Sequence, residues 1–306
     1  MTSTSASGNV PRIAVYGSIN MDLVAYVPVR PASGETVAGT EFRQVPGGKG
    51  ANQAIAAARA GGDTAFLGAV GDDPFGVQMR SALVDSGVDA SELRTVPGAS
   101  GVAHIVVEGD GANSIIVVPG ANAAMTGITG AERTVLAGCD ALLLQLELPM
   151  EGVVAAARAA REAGVRTVLT PAPARELPDE LLDLVDLLVP NQHEAAAVTG
   201  EEDPRRALEA LLRRVPEAVV TLGGDGSLHG ERGGEPVHVP SRPVEAVDTT
   251  AAGDTFCGAF AVARAEGRGP EESMEFAAAA AALSVQRQGA STSMPRRAEI
   301  EALLAG

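Results

Sequence analysis

Aromatic residues are scarce in this 306-residue chain, tryptophan is absent, and there are only two cysteines. Because hydrophobic residues make up 45% of the chain and aromatic ones 3%, a sizeable core must be built from alanine, valine and leucine. Cys139 and Cys257 have the spacing of neither a metal site nor a disulfide framework, which favours buried thiols in a reducing cytoplasm. The longest apolar run, 276–285, is too short to cross a bilayer.

Positive charge is scarce as well. Against 39 aspartates and glutamates there are 23 lysines and arginines, which gives a net charge of −16. Such a surface repels nucleic acids and anionic membranes, so we expect neither as a partner. The segment 1–12 lacks the apolar region of a signal peptide and is predicted to form a disordered tail. We therefore expect a cytoplasmic protein with one domain over 13–306.

Short β-branched segments alternate with alanine-rich helical segments along most of the chain. Strands are predicted at 13–19, 64–70, 141–146, 166–170, 187–191 and 218–223, and helices at 51–60, 74–86, 151–163, 204–214, 255–266 and 271–287. This alternation predicts an α/β fold with a mostly parallel sheet that helices cover on both faces. Ligands of such sheets bind outside the carboxyl ends of the strands.

Two stretches interrupt this rhythm with alternating, half-polar β patterns. They lie within 20–43 and 101–119, and the second contains the hairpin turn signal GDGAN. We expect these strands to leave the main sheet and to form a small β lid. Its exposed face could cover a ligand, pair with a second subunit, or do both.

The segment 247–260, VDTTAAGDTFCGAF, carries the strongest indication of chemistry. It exposes the backbone of Ala251, Ala252 and Gly253, and it places Asp254 in the first turn of an apolar helix. The unpaired amides of a helix start form an anion site. A carboxylate beside that site suits a group that takes a proton from an attacker of a phosphate. A plain helix cap would favour the same residue type, so both interpretations remain open.

Three further segments place polar side chains where a ligand could bind, two of them at expected strand ends and one in a loop that runs into an expected helix. Asn20 and Asp22 lie in GSINMD, Lys49 and Asn52 in the glycine-rich VPGGKGANQA, and Glu147 in LQLELP. The glycines permit close approach of a ligand, and Lys49 and Asn52 offer donors to hydroxyl groups. A turn, a loop with a helix start, and a strand end would explain the three segments taken singly. The spacing around Lys49 is not that of a Walker A loop.

Two later segments suggest nucleotide and metal contacts. In PNQHE, Asn191 and Glu194 open a helix, and their spacing fits either a helix cap or a Glu194 that orders water around Mg²⁺. The loop 221–230, TLGGDGSLHG, is flexible enough to cradle a nucleotide. Its glycines come too late in the chain for a dinucleotide-binding fingerprint.

The order of these motifs resembles the ribokinase family of carbohydrate kinases. GSINMD, GGKGAN, QLE, PNxxE, TLGxxG and DTTAAGD follow one another from about residue 13 to the end. The resemblance implies a three-layer α/β/α sandwich with a small β lid, and ATP-dependent phosphorylation of D-ribose at its 5-hydroxyl. Asp254 would be the general base. The amides from Ala251 through Ala252 and Gly253 to Asp254 would hold the charge that develops on the transferred phosphoryl group.

The resemblance also implies ligands for each part of the site. The sugar hydroxyls would be bound by Asn20, Asp22, Gly48, Lys49, Asn52, Glu147 and Asp254. ATP would be contacted by Asn191, Thr221, Gly223, Gly224, Gly226, Gly253 and Ala278, and Mg²⁺ would be organised through water by Glu194. The K⁺ that activates such enzymes would be held, mainly by backbone carbonyls, at Asp248, Thr250, Ser284, Arg287, Gly289 and Ser293.

Several alternatives remain open at this stage. Ala278 stands where some family members carry a histidine near the adenine, which leaves that contact undecided. A kinase of the same family could act on deoxyribose, fructose or a nucleoside such as adenosine, although a nucleoside base needs a pocket that is typically aromatic. A non-catalytic sugar or nucleotide sensor would not need Asp254. The exposed alternating strands, together with the family, lead us to expect a homodimer through the lid.

Overall fold

The first strand shows how the chain divides its side chains between two apolar layers. In β1 (Arg12–Tyr16), Ile13 and Val15 join one core cluster, Ala14 and Tyr16 join the other, and all four are fully buried. A strand buried on both faces is expected inside a parallel sheet. The structure, a computed structural model, describes residues 10–306.

The described strands form one large sheet and two smaller ones. After β1 they are, in chain order, β2 (Asn20–Tyr26), β3 (Glu41–Gly47), β4 (Asp63–Leu67), β5 (Ala69–Gly71), β6 (Arg94–Val96), β7 (Gly101–Val107), β8 (Asn113–Val118), β9 (Ala141–Leu144), β10 (Arg166–Leu169), β11 (Leu187–Leu188), β12 (Glu217–Thr221), β13 (Ser227–Glu231) and β14 (Val237–Val239).

The large sheet has the strand order β14-β13-β12-β11-β10-β9-β1-β4. Neighbours from β12 to β4 pair in parallel, whereas β13 and β14 add an antiparallel edge. The prediction of a mostly parallel sheet is therefore confirmed.

The helices follow the strands in the alternation that the sequence predicted. They are α1 (Lys49–Arg59), α2 (Pro74–Asp85), α3 (Gly130–Leu136), α4 (Met150–Ala163), α5 (Asp179–Leu182), α6 (Gln192–Thr199), α7 (Pro204–Leu212), α8 (Ala252–Ala265), α9 (Pro270–Ser284) and α10 (Arg297–Ala305). Asp73 and Asp203 cap α2 and α7, and each is followed by a proline at the first helical position. Gly164 ends α4 in the left-handed conformation.

Two layers of helices cover the large sheet. The cluster around Ile13 and Val15 includes α1, α8 and α9, and the cluster around Ala14 and Tyr16 includes α4 and α7. The three-layer α/β/α sandwich is therefore confirmed. Among residues 10–306, no helix combines the length and the apolar character needed to span a membrane.

The smaller four-stranded sheet, with the order β3-β2-β7-β8, holds the segments predicted as lid strands. We call it the outer sheet. Its strand β3 continues past the predicted limit at 43 to Gly47, and Asn20 pairs with Gly47 in its register. One edge of the outer sheet therefore leads directly into the start of α1.

The amino-terminal boundary differs from the prediction. Pro11 is buried and Arg12 already belongs to β1, where it pairs with Asp63 of β4. The predicted tail over 1–12 therefore does not include these two residues, and its part over 1–9 lies outside the described residues. The sequence pattern also missed α3, α5 and α10.

A buried ionic cluster lies at the amino end of β12. Glu217 accepts hydrogen bonds from Arg166 and, at 2.8 Å, from His229 Nε2, and Arg264 Nη2 lies 3.5 Å away. Burial raises the pKa of Glu217, but these partners outweigh it and hold that pKa below its usual value. Although Glu231 stands close enough to complete a metal-type cluster, the two arginines already balance Glu217. This cluster is structural.

Close helix packing places α8 against α1. A Cβ atom at Gly258 would lie 2.7 Å from Ala56 Cβ and 2.7 Å from the carbonyl oxygen of Gln53. At the start of α1, a Cβ at Gly50 would lie 2.6 Å from the backbone of Gly17. Glycine at 50 and 258 therefore lets α1 touch both the carboxyl end of β1 and the first turns of α8.

We predict that Gly258→Ala lowers the free energy of unfolding by about 1–3 kcal/mol, because the added methyl group overpacks this contact. Urea unfolding would measure the change. Gly130→Ala is the matched control, since a Cβ there meets no atom within 4 Å, and it should stay within about 1 kcal/mol of the wild type. Equal stability of Gly258→Ala and the wild type would contradict the tight contact.

Candidate active site

The start of α8 is held by a left-handed residue. Ala251, its N-cap, has φ 58° and ψ 17°, and within residues 10–306 it is the one non-glycine residue with positive φ. Such a conformation costs on the order of 1–3 kcal/mol and is typical of functional sites. This residue is therefore the point at which the chain turns into α8.

Three of the four amides predicted for the anion site are unengaged. The amides of Ala251, Gly253 and Asp254 donate to no acceptor within the part of the chain that the structure describes. The amide of Ala252 differs, because it donates to the carbonyl oxygen of Thr249 at 3.2 Å and closes the turn. The helix start can therefore bind an anion without the amide of Ala252.

The carboxylate of Asp254 is buried and held by two side-chain amides. Asn52 Nδ2 donates to its Oδ2 at 3.3 Å, and Gln53 Nε2 donates to its Oδ1 at 3.0 Å. Burial raises the pKa of Asp254 to about 6, against the lowering effects of Lys49 and of these hydrogen bonds, while Glu147 adds to the rise. Asp254 is therefore ionised at neutral pH yet more basic than an ordinary aspartate.

Lys49 and Glu147 lie beside Asp254 at the start of α1. Glu147 Oε2 accepts from the amide of Lys49 at 3.0 Å and from Ser18 Oγ at 2.5 Å. Burial lowers the pKa of the Lys49 ammonium, but Asp254, Glu147 and Glu194 outweigh it and raise that pKa. Lys49 is the only lysine in the chain, and it provides a cation among carboxylates.

Asp22 completes the acidic side of this cluster. Its carboxylate lies against Gly47, where a Cβ would stand 2.3 Å from Oδ2. Burial and the nearby Glu147 raise the pKa of Asp22 to about 7. Gly48 has φ 92°, and a Cβ added there would lie 2.9 Å from the amide nitrogen of Asn20. Asp22, Gly48 and Asn20 therefore lie close to one another, next to Glu147. The structure thus brings the predicted sugar-binding residues together.

Asn122 is a site residue that the sequence reasoning missed. Its Nδ2 donates to Asn20 Oδ1 at 2.8 Å and to the carbonyl oxygen of Ile19 at 3.0 Å, and its Oδ1 accepts from the amide of Ile19 at 3.1 Å. Both asparagines are buried. Asn122 therefore fixes the orientation of Asn20. The local signal was a strand that ends in Pro-Gly-Ala-Asn.

A cavity of about 400 Å³ adjoins the start of α8 and has the size of a small-ligand site. Six of the seven residues predicted to contact ATP line it: Thr221, Gly223, Gly224, Gly226, Gly253 and Ala278. The apolar part of its wall, which the sequence did not identify, includes Val244, Phe256, Ala281, Ala282 and Val285.

The seventh predicted contact, Asn191, does not belong to the described lining of this cavity. Asn191 and Glu194 instead form a reciprocal cap of α6, with Glu194 N to Asn191 Oδ1 at 2.8 Å and Asn191 N to Glu194 Oε2 at 2.9 Å. Burial raises the pKa of Glu194, against the amide of Asn191 and the charge of Lys49. The capping interpretation is therefore confirmed. Glu194 is also close enough to the site for the charge of Lys49 to lower its pKa.

The residues predicted to hold a monovalent cation come together in two joined loops. Asp248 Oδ1 accepts from the amide of Thr250 at 2.9 Å and from its hydroxyl at 2.6 Å, and Asp248 Oδ2 accepts from the amide of Gly289 at 2.9 Å.

Three of the predicted cation-site residues, Ser284 at the end of α9 and two in the second loop, are already engaged in part. The carbonyl of Ser284 accepts from the amide of Arg287, whose guanidinium pairs with Glu299, and the hydroxyl of Ser293 donates to Ala290.

A family model described as "pfkB family carbohydrate kinase" matches residues 10–297. The chain belongs to this family of carbohydrate kinases. Among pfkB relatives, the ribokinase of Bacillus subtilis is 43% identical over 297 residues, which cover 95% of this chain and 99% of that one. The deoxyribokinase of Salmonella typhi is 37% identical over 293 residues, or 92% and 95%.

Solved pfkB structures have the same fold. The structure of Arabidopsis thaliana ribokinase complexed with ribose and ATP superposes with a TM-score of 0.92 at 36% identity, and covers 97% of this chain and 100% of that one. The expectation of a carbohydrate kinase is confirmed.

Proposed function

We propose that this pfkB kinase transfers the terminal phosphoryl group of ATP to the 5-hydroxyl of D-ribose. The position of Asp254 carries the proposal. Its neighbour Gly253 lines the cavity of about 400 Å³, while its own carboxylate contacts Asn52. Asn52 belongs to what we call the polar cluster, which consists of Asn20, Asp22, Lys49, Asn52 and Glu147. One helix start thus stands between two sites. The ribokinase relatives support the choice of sugar and of nucleotide.

The polar cluster suits a neutral sugar. Asn52 Oδ1 is buried and has no hydrogen-bond partner within residues 10–306, so a sugar hydroxyl would satisfy it. The carboxylates of Asp22, Glu147 and Asp254 are further acceptors for hydroxyl groups. Because they face a single lysine, they disfavour a substrate that already carries a phosphate.

Asp254 acts as the general base in the proposed reaction. It takes the proton of the 5-hydroxyl while that oxygen bonds to the γ-phosphorus, and the bond from the γ-phosphorus to the bridging oxygen breaks to release ADP. The amides of Gly253 and Asp254 stabilise the charge that develops on the transferred group. Closure of the outer sheet over the sugar excludes water, which would otherwise accept the phosphoryl group.

Glu194 fits a role in holding Mg²⁺. Magnesium takes few carboxylates, keeps several waters and binds substrate phosphates, and Glu194 is a partly buried carboxylate beside the site. When bound, Mg²⁺ neutralises charge on the phosphates of ATP. Glu194 would hold it through water, and the cap on α6 fixes the orientation of the carboxylate.

A coupled assay of ADP formation over neutral pentoses, hexoses and nucleosides tests the function. We expect the highest kcat/KM with D-ribose, and a fall in kcat of at least ~10²–10⁴ in Asp254→Asn, which removes the base. A higher kcat/KM for deoxyribose would favour the activity of the deoxyribokinase relative. Near wild-type turnover of Asp254→Asn would contradict the role of Asp254, and ADP formation independent of any sugar would contradict a sugar kinase.

We also propose a K⁺ site at the two loops joined by Asp248. Carboxylate and carbonyl oxygens are the donors that hard cations take, and Asp248 supplies a carboxylate between the two loops. At saturating ribose and ATP, activity in Na⁺-only buffer should fall below activity in K⁺. Asp248→Ala should raise the K⁺ concentration needed for half-activation, because it releases Thr250 from Gly289. Equal rates across both titrations would discard the site.

The outer sheet is the proposed dimer interface. Its strands leave Phe42, Ile115 and Ile116 at least half exposed, and β8 is an edge strand. Light scattering should give twice the 30.9 kDa chain mass. Ile116→Glu should lower that mass, whereas Val77→Glu, a charge at the similarly exposed Val77 of α2, should not. A single-chain mass for the wild type would exclude the dimer.

A further inference from the structure

Three buried polar side chains are linked to Asp254 by a chain of hydrogen bonds, and the proposed function gives them no role. Gln53 belongs to α1, Gln145 follows β9, and Thr170 follows β10. Gln53 is 0% exposed and Gln145 is 1% exposed. Burying three such groups is costly unless hydrogen bonds satisfy them, so their arrangement needs an explanation.

The hydrogen bonds of Gln53 converge on the carboxylate. Its Nε2 donates to Asp254 Oδ1 at 3.0 Å and to Thr170 Oγ1 at 3.3 Å, which uses both protons of the amide. Gln145 Nε2 donates to Gln53 Oε1 at 2.7 Å. A flipped Gln53 amide would turn its oxygen toward the carboxylate and its protons toward another donor. The neighbours therefore determine one orientation.

Gln145 is itself confined. A Cβ at Gly17 would lie 2.2 Å from Gln145 Oε1, so the glycine after β1 leaves the space that this side chain occupies. Gln145 Oε1 is buried and has no partner within residues 10–306. An unsatisfied buried oxygen is costly, so the benefit of this side chain lies in its Nε2, which donates to Gln53.

We propose that Gln53 is a positioning residue for the base, and that Gln145 holds Gln53 in place. Gln53 fixes Oδ1 of Asp254, so that Oδ2, next to Asn52, faces the sugar hydroxyl. This inference rests on the proposed role of Asp254. The Gln53 amide has a second effect as well, because a hydrogen-bond donor to the Asp254 carboxylate favours the ionised form of that carboxylate.

The electrostatic surroundings of Asp254 agree with this effect. The titratable groups around Asp254 and the lysine beside it are Lys49 on α1, Glu147 after β9, Glu194 on α6 and Cys257 on α8. Burial and Glu147 raise the pKa of Asp254, whereas Lys49, Gln53 and Asn52 lower it. Loss of the Gln53 amide removes one of the lowering contributions, so the base would protonate at higher pH.

Gln53→Met tests the proposal, because methionine has a similar volume and lacks the amide. The pH profile of kcat/KM for ribose reports the pKa of the base in the free enzyme. We expect its acidic limb to move upward by about one pH unit and kcat to fall about 10-fold or more. The KM for ribose should change by less than about threefold, because Gln53 is fully buried and offers no surface to a sugar.

Gln145→Met should move the limb in the same direction by less, and Gln78→Met, on the exposed face of α2, should not move it. If Gln53→Met does not fold, Gln145→Met carries the test. A lower kcat with an unmoved limb in both amide variants would reduce these residues to a structural role. An active Asp254→Asn would instead overturn the proposed function, so the two failures are distinguishable.

Discussion

The site depends on keeping one carboxylate charged while it is almost removed from water. Burial of an unpaired carboxylate is prohibitive, so Asp254 requires a cation, amide donors and a helix start within reach. Lys49, Asn52 and Gln53 all come from the first turns of α1. Because Gly258 lets α8 lie directly on α1, the packing of two helices supplies these partners together. The contact between α1 and α8 thus contributes both to the stability of the fold and to the basicity of Asp254.

The start of α8 also separates two environments of different chemistry. On one side lies a cavity with an apolar wall and a glycine-rich loop, and on the other lies a cluster of carboxylates, amides and one ammonium. The left-handed Ala251 is where the chain turns between them. A strained residue persists at such a point only if its surroundings hold it, and the hydrogen bond from Ala252 to Thr249 contributes to that.

The sequence predicted those parts of the fold that local patterns encode. Apolar runs such as 141–144 and alanine-rich helices such as α4 can be recognised from their own residues. The same holds for Asp254 and for the glycine-rich loop 221–230. Asn122 and Gln53 escaped notice because their roles arise from contacts with Asn20 and Asp254, 102 and 201 residues away in the chain.

The same difference between local and distant contacts explains the mixed outcome at the predicted ligands. Whether an amide such as that of Ala252 is free depends on the exact turn, which residue types do not specify. The spacing of Asn191 and Glu194 encoded a cap correctly, since a cap is a local structure.

That the chain has a single lysine, and has it in this cluster, makes the amine a natural reporter. Protein grown on lysine labelled with ¹⁵N only at Nζ would carry one labelled nitrogen, so a single resonance would follow the state of the site without any assignment. For the same reason, coupling beads or dyes to lysine amines is expected to modify the site itself. Lys49, the one amine carried by a side chain, stands among the residues proposed to bind the sugar.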